Sequence, residues 1–451
     1  MVDDGSTDGS ARIAAARETA DPRFRLVGQE NQGLGPARNT GASHAKGDYL
    51  AFCDSDDIVP PRAYELLVGS LERTGSDFAT GNVQRLEIGG MLTQSALHRS
   101  LATPAERTHV SRDHRLLGDR TAWNKVFSRA FWDRLDTPFP QGWYEDSPVM
   151  LPAHVSARAV DVIAEPVYQW RRRIDSISEN RASAGNLAAR MAVMEAVRDG
   201  LAAEYHDDFD RILLDVDLPI LLESLPELPS GEQRELAAKT ARLISALTPS
   251  VISTAPAPQR LCLTLLAGGR LDDLQQVLAD QRDLGGLRTR SRGGRWYADY
   301  PFADDSYDLT DELRPKATID HIRWEGTTLR LTGRTLLPGI PTESTRVFLR
   351  PSTAIGRVVQ ITVPATPLPG APPGSFEASI DASRLKIMGR RRQVDWKLCV
   401  RLTGGGLTRK HSFGSARTAL AAWPDPVRLP NGVTITPVGG TNRLQLRVTT
   451  P

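Results

Sequence analysis

The run "CDSDD" sets Asp54, Ser55 and Asp56 in an Asp-X-Asp pattern directly after the apolar stretch "DYLAF". On a straight strand, residues i and i+2 point to one side, so the two carboxylates are expected to converge on one divalent cation. Their hard oxygens suit Mg²⁺ or Mn²⁺, ions that bridge one or two carboxylates to substrate phosphates. The same acids would also serve as a helix-capping cluster before "SDDIVPP", and the motif alone leaves both readings open.

Four other stretches carry chemistry. In "MVDDGSTDGS", Asp3 and Asp4 end a short apolar segment, where a carboxylate can accept hydrogen bonds from a nucleobase or ribose. Ser6, Thr7 or Asp8 would cap the helix that follows. In "ENQGLGPARNTG", Gly33 and Gly35 precede a short helix bearing Arg38 and Asn39, so a helix start and a guanidinium are expected to face a diphosphate. In "YEDSPVM", Glu145 and Asp146 offer a general base for an acceptor hydroxyl, or simply complement a helix dipole. In "QWRRRIDSIS", Trp170 and Arg171, Arg172 and Arg173 suit pyrophosphate or an anionic acceptor, or form a solvated face.

The elements that must position these residues are readable from periodicity. From residue 1 to about 185, short apolar runs alternate with helical stretches, which predicts an α/β domain with a largely parallel sheet and ligands at the carboxyl ends of its strands. From 186 to 290, Ala, Leu, Glu and Arg at helical spacing with Pro-bearing breaks predict a helical linker domain without a catalytic constellation. From 291 to 451, alternating runs such as "TLRLTGRTL" and "VDWKLCVRLTG" predict a β-sandwich with Trp324, Phe376 and Trp396 as core aromatics. Trp296, Tyr297 and Tyr300 form either a sugar-stacking platform or an interdomain plug, with the plug preferred.

A chain of 451 residues is long enough for two or three domains. A net charge of +2 gives no whole-chain argument for nucleic acid or an anionic membrane. Cys53, Cys262 and Cys399 lie far apart, without metal-ligand or disulfide spacing. No apolar run reaches the roughly 20 residues of a membrane helix, and the first residues lack signal-peptide character. These features point to the cytoplasm, with attachment to a membrane-bound partner at the inner face of the plasma membrane left open.

In order along the chain, "VDDGSTDGS", "NQGLGPARNTG", "GDYLAFCDSDD", "WNKVFSRAFW", "YEDSP" and "YQWRRR" resemble the family 2 glycosyltransferases of the GT-A fold, inverting enzymes that use nucleotide-diphosphate sugars. The resemblance covers residues 1 to about 180. The helical and β-rich remainder is similar to bacterial cell-wall polymer glycosyltransferases, in particular a wall teichoic acid branch with immunoglobulin-like C-terminal modules that mediate oligomerisation. It implies a nucleotide-sugar donor, with UDP the expected nucleotide, and a polymer or surface-glycan acceptor. It also implies a homo-oligomer formed through the C-terminal β-region.

What the resemblance implies for the site follows the matching motifs. Asp3 and Asp4 bind the nucleotide with Arg38 nearby; Asp54 reaches the ribose or the metal, and Asp56 is a metal ligand. Asp146 is the general base, with Glu145 as its acidic companion. Asn124 and Lys125 line the donor or acceptor side, and Arg171, Arg172 and Arg173 favour a pyrophosphate leaving group. The family places a strand and helix ahead of "VDDGS", about 30 residues of a strand-helix-strand unit. The expectation is therefore of a chain shortened at its N-terminus, prone to aggregate or to bind donor weakly. Two competing readings are a non-catalytic remnant that oligomerises or binds polymer, and a nucleotidyltransferase, which leaves "YEDSP" and "QWRRR" without a role.

Overall fold

The computed structural model describes residues 1–173, 183–283, 285–352, 360–385, 392–413, 424–440 and 443–450, so the end of "QWRRRIDSIS" lies outside the described residues. The chain divides into two compact units. The first comprises Met1–Ala255 and Cys262–Leu274, the second Pro256–Leu261 and Gln275–Pro451.

The first unit opens with β1 (Val2–Asp4), α1 (Ser10–Ala20), β2 (Val27–Gln29), α2 (Leu34–His44) and β3 (Tyr49–Ala51). Then come α3 (Ala63–Thr74), β4 (Phe78–Leu86), β5 (Leu92–Gln94), β6 (Ala105–Thr108), β7 (Lys125–Ser128), α4 (Arg129–Leu135), α5 (Ser147–Ser156) and β8 (Val160–Arg171). β1 and β2 pair in parallel, with Val2 opposite Val27. The larger sheet runs β3-β7-β4-β8-β6, with β5 added to β4.

That sheet is mixed, which corrects the expectation of a largely parallel one. β4 and β8 are parallel, but β7 inserts between β3 and β4 antiparallel to both, and β6 is antiparallel to β8. β7 is only the four residues "KVFS" and runs directly into α4. α3 shows why its sequence is helical: Ala63, Leu67 and Leu71 recur at i, i+4 and i+8 and are buried, and Gly75 ends the helix at φ 68°. The core that supports the acidic loops gathers Phe52, Phe78, Phe127, Phe131, Phe139, Val149 and Met150.

The helices α6 (Ala184–Gly200), α7 (His206–Ile212), α8 (Leu218–Ser224), α9 (Ser230–Ala246) and α10 (Pro249–Ile252) belong to the first unit, while α11 (Ala257–Ala267) and α12 (Leu271–Asp283) are divided between the two. No described helix is long and apolar enough to cross a membrane.

The second unit begins its β-structure with β9 (Thr289–Arg292) and β10 (Arg295–Ala298). It continues with β11 (Lys316–Glu325), β12 (Thr328–Leu336), β13 (Ser344–Pro351), β14 (Ile361–Pro364), β15 (Thr366–Pro367) and β16 (Ser375–Asp381). β17 (Gln393–Gly404), β18 (Leu407–Ser412), β19 (Val427–Arg428), β20 (Thr434–Gly440) and β21 (Arg443–Thr449) complete it. Antiparallel pairing gives a four-stranded sheet, β11-β12-β16-β15, and a seven-stranded one, β14-β13-β17-β21-β20-β19 with β18 on β17. Alternation of buried and open positions along β12 and β17 turns one face of each inward, as the sandwich pattern requires.

Phe376 and Trp396 are buried as expected, whereas Trp324 is only partly buried. Tyr300 is buried, stacks on Phe302 at 5.2 Å and donates to Asp280 at 3.0 Å. A side chain at Gly405 would strike the Trp296 ring at 2.3 Å. These two aromatics are packed within their own unit and do not form an open stacking platform.

Candidate active site

Three of the sequence-selected acids meet around the guanidinium of a fourth selected residue. Arg38, on α2 and 7% exposed, donates through Nη1 to Glu145 Oε1 at 2.7 Å and to Asp146 Oδ1, and through Nη2 to Asp54 Oδ1 at 2.8 Å. The local sequence explains its aim. A Cβ at Gly35 would meet the Pro140 carbonyl oxygen at 2.0 Å, so only glycine lets the start of α2 approach that loop. Asn39 then fixes the approach, donating to the Phe139 carbonyl at 2.8 Å and accepting from the Phe139 N–H at 2.9 Å. Arg38 is left lying over the Phe139 ring, 5.4 Å from its centroid, facing the acids.

One cation among three carboxylates leaves an excess of acid. Burial pushes the Asp146 carboxyl up to about 7, with Arg38 opposing the rise and Glu145 and Asp54 adding to it. Burial would lower the Arg38 proton affinity, but Asp146, Asp54 and Glu145 outweigh it and raise it. The second oxygen of Asp146 accepts from the Ala122 N–H at 3.2 Å. Ahead of α5 the backbone turns through Gly142 at φ 111° and Tyr144 at φ 62°, a left-handed conformation that a tyrosine adopts only when its surroundings hold it there. Here Tyr144 donates to Asn186 and carries Arg190 over its ring.

The Asp-X-Asp lies beyond its strand. β3 ends at Ala51, and residues 54–57 form a turn closed by the Asp57 N–H on the Asp54 carbonyl at 3.3 Å. The strand-face argument for convergence therefore does not apply, and the two carboxylates take different partners. Asp56 accepts from Arg173 at 3.0 Å, while Arg171 donates through Nε to the Asp56 carbonyl and through its N–H to Asp57, both at 2.7 Å. Arg172 is directed to Glu87 at 3.6 Å. The Asp54 N–H is held by the Tyr168 hydroxyl at 3.1 Å. Burial raises Asp57 to about 6, against the hydrogen bonds from Arg171 and Tyr168.

Asp4 is engaged within its own loop. It accepts from Gln29 Nε2 at 2.7 Å, the Gln32 N–H at 2.9 Å and the Gly33 N–H at 2.8 Å, bracing the turn that leads into α2. Asp3 is half-buried opposite Gly28. Asn124 and Lys125 do not reach an open surface: they are 0% and 1% exposed. Lys125 Nζ pairs with Asp119 at 2.7 Å, and Asn124 donates to Asp119, Thr80 and the Gly81 carbonyl. The family resemblance implies that this pair lines the donor or acceptor side, but here it satisfies a buried aspartate. Tyr168, Asp57 and the Ala122 N–H contact Asp54 or Asp146, and sequence reasoning missed them. A backbone donor leaves no trace in residue type, and Tyr168 lies 114 residues from Asp54.

Residues 1–135 match the family described as Glycosyl transferase family 2. Among relatives, EpsH of Bacillus subtilis, which carries a glycosyltransferase name, is 29% identical over 181 residues, spanning 39% of this chain and 53% of its own length. EpsJ of the same organism, named an uncharacterized glycosyltransferase, is 26% identical over 258 residues, 54% of this chain and 74% of its own. The chain thus spans about half to three quarters of these glycosyltransferase relatives. In fold, TarS of S. aureus aligns over 100% of this chain and 79% of its own, with a TM-score of 0.62 at 16% identity. A 1–349 fragment of TarS, solved with UDP-GlcNAc, aligns over 67% of this chain and 88% of its own at a TM-score of 0.52 and 16% identity. This likeness shows a shared GT-A fold followed by β-structure.

Proposed function

We propose that the first unit transfers a sugar from a nucleotide-diphosphate sugar, with UDP as the nucleotide, to a hydroxyl of a cell-envelope polymer or surface glycan, inverting the anomeric centre. The observation that carries this reading is the Arg38 cluster: a carboxylate raised to about 7 beside two further acids and a buried cation. A base of that proton affinity is matched to removing a hydroxyl proton near neutrality. Asp146 takes the acceptor proton as the oxygen attacks. Glu145 keeps Arg38 in place, and the Ala122 N–H orients Asp146. Arg171 and Arg173, beside the Asp54–Asp57 turn, stabilise charge growing on the leaving diphosphate.

A divalent cation suits the same turn. Among the described residues, Asp54 Oδ2 and Asp56 Oδ1 have no hydrogen-bond partner, and no group of three or more His, Cys, Asp or Glu forms a cage. Two hard oxygen donors fit Mg²⁺ or Mn²⁺, which keep water and phosphate oxygens as their remaining ligands. When bound, the ion neutralises charge on the diphosphate.

The names of the relatives and the UDP-GlcNAc held by TarS support the donor class. The test is UDP release from a panel of UDP-sugars by the full chain, compared with Asp146→Asn. We expect turnover that falls about 10²- to 10⁴-fold in the variant. Equal turnover in the two proteins would remove Asp146 from its role.

A further inference from the structure

The helical segment 184–255 carries no catalytic constellation in its sequence, yet one of its carboxylates is tied to both parts of the chain that support Asp146. Asp217 ends a π-helical turn (Leu213–Asp217) and stands at the N-cap of α8, where, among the described residues, its side chain caps no backbone N–H. It is fully buried and is shared by two arginines instead. Arg190 of α6 donates to it through Nε at 2.8 Å, and Arg120 donates through Nη1 at 3.1 Å.

Each arginine leads to a different support of Asp146. Arg190 lies over the Tyr144 ring, 5.1 Å from its centroid, and donates to the Tyr144 hydroxyl at 3.5 Å. Tyr144 is held left-handed at φ 62° and is followed directly by Glu145 and Asp146. Arg120 lies two residues before Ala122, whose N–H donates to Asp146 at 3.2 Å. That side is anchored independently, because Lys125 Nζ donates to the Thr121 carbonyl at 2.5 Å and His98 contacts the Thr121 hydroxyl at 2.9 Å. Arg120 therefore fixes Asp217 against a stationary segment, and Arg190 passes that position on to the Tyr144 loop.

Stability alone is a weak reason for this arrangement. Two buried guanidiniums on one carboxylate give up hydration that a single acid does not fully restore, and well-packed apolar side chains often hold such places as well or better. What an Arg–Asp–Arg bridge adds is direction, since the planar fork of each guanidinium accepts few orientations. A π turn is likewise an irregularity that helices frequently carry at functional sites. We propose that Asp217, acting through Arg190 and Tyr144, is a positioning residue that registers Asp146 against the Ala122 N–H and so sets it for the acceptor hydroxyl. The inference rests on the reading of Asp146 as the base. The helical segment then serves the site through geometry alone.

Arg190→Met tests this, because it leaves Arg120 and Asp217 as a balanced pair and strands no charge. UDP release from UDP-GlcNAc, UDP-glucose and UDP-galactose is measured for the full native chain, Arg190→Met, Asp146→Asn and the double variant, with UDP affinity by calorimetry. Loss of position should lower kcat about 10- to 100-fold and leave UDP affinity unchanged. The same substitution should cost nothing further in the Asp146→Asn background, because a residue that acts through Asp146 has nothing left to act on. Amide hydrogen exchange in Arg190→Met should quicken at residues 142–147 and stay as in the native chain at 119–122. Arg242→Gln, which breaks exposed pairs of α9 with Glu195 and Asp199 of α6, should change none of these readings. If Arg190→Met melts early, Tyr144→Phe takes its place with a smaller loss of kcat and the same dependence on Asp146. Equal fractional losses in the native and Asp146→Asn backgrounds, or native kcat and exchange in a folded Arg190→Met, would overturn the inference alone. Equal turnover in the native chain and Asp146→Asn would instead overturn the reading of Asp146 as the base, and a native chain that releases no UDP from any of the three sugars would remove both.

Discussion

Arg38 and Lys125 are both cations sunk among acids in the first unit, yet their surroundings differ in charge balance and closure. Lys125 faces one carboxylate, and both partners are 0% exposed; its ammonium also meets the Thr121 carbonyl at 2.5 Å and Asn124 Oδ1 at 3.1 Å, so its three donors are used. Asp119 is likewise saturated by Thr80, Asn124 and His154. Burial alone would raise Asp119, but Lys125, His154 and His98 outweigh it and hold it well below the usual carboxylate range. Arg38 faces three carboxylates, of which Asp54 and Asp146 keep partial access to solvent. A balanced, closed pair fixes structure, whereas an excess of acid that stays accessible is poised for proton transfer.

The sharpest way to break that comparison is to remove one acid from each cluster. Asp146→Asn should lower transfer by about 10²- to 10⁴-fold while leaving the melting temperature unchanged or raised. Asp119→Ala should do the reverse. It strands the Lys125 ammonium without a counter-charge, which costs about 3–5 kcal/mol of stability, read by urea unfolding. Should Asp146→Asn unfold the protein and Asp119→Ala leave it intact, the roles assigned to the two clusters would be exchanged.

Much of the acidic site was legible because its motifs are local: "CDSDD" and "YEDSP" announce Asp54 and Asp146 by position. The clamp between them was not, since Arg38 is 107 and 108 residues from Glu145 and Asp146, and only the Gly35 and Asn39 contacts with the 139–140 loop turn it toward them. Asn124 and Lys125 show a different limit. Sequence marks a polar pair but does not say whether it looks outward to a ligand or inward to a buried aspartate. The same holds for the β-region, where alternation in "VDWKLCVRLTG" exposes Lys397 and Arg401 to one face but the opposing Arg346 and Arg350 emerge only from register.

Removing the cation sharpens the comparison further. In Arg38→Met, the carboxylates lose the charge that opposes their rise, and Asp146 should move above about 7. With Asp146 as the proposed base, the rate of transfer should climb with pH through about 7 in the native protein, and that limb should shift to higher pH in the variant. Stability follows the same sign. Between the unfolded-state pKa of about 3.9 and the folded value, the native state holds a proton that the unfolded chain has released, so stability falls as pH rises through that window. The fall should extend to higher pH in Arg38→Met and be absent above about pH 6 in Asp146→Asn, measured as unfolding midpoints from pH 4 to 8. A parallel pH profile in all three proteins would mean that the cluster titrates as it does in water.

Asp57 gives the smallest expected effect and separates the turn from the cluster. Burial holds its carboxyl at about 6, above the unfolded value, so it too binds a proton in the native state that the unfolded chain lacks, and it contributes a loss of stability as pH rises from about 4 to about 6. Its partial exposure means solvent screens much of that loss. Asp57→Asn keeps an oxygen to accept the Arg171 N–H and removes the titration. Its stability curve should therefore flatten only below about pH 6, leaving the transfer limb near pH 7 where Asp146 sets it. If the variant moved the transfer limb as well, the Asp54–Asp57 turn and the Arg38 cluster would titrate as one coupled group, and the base could no longer be assigned to Asp146 alone.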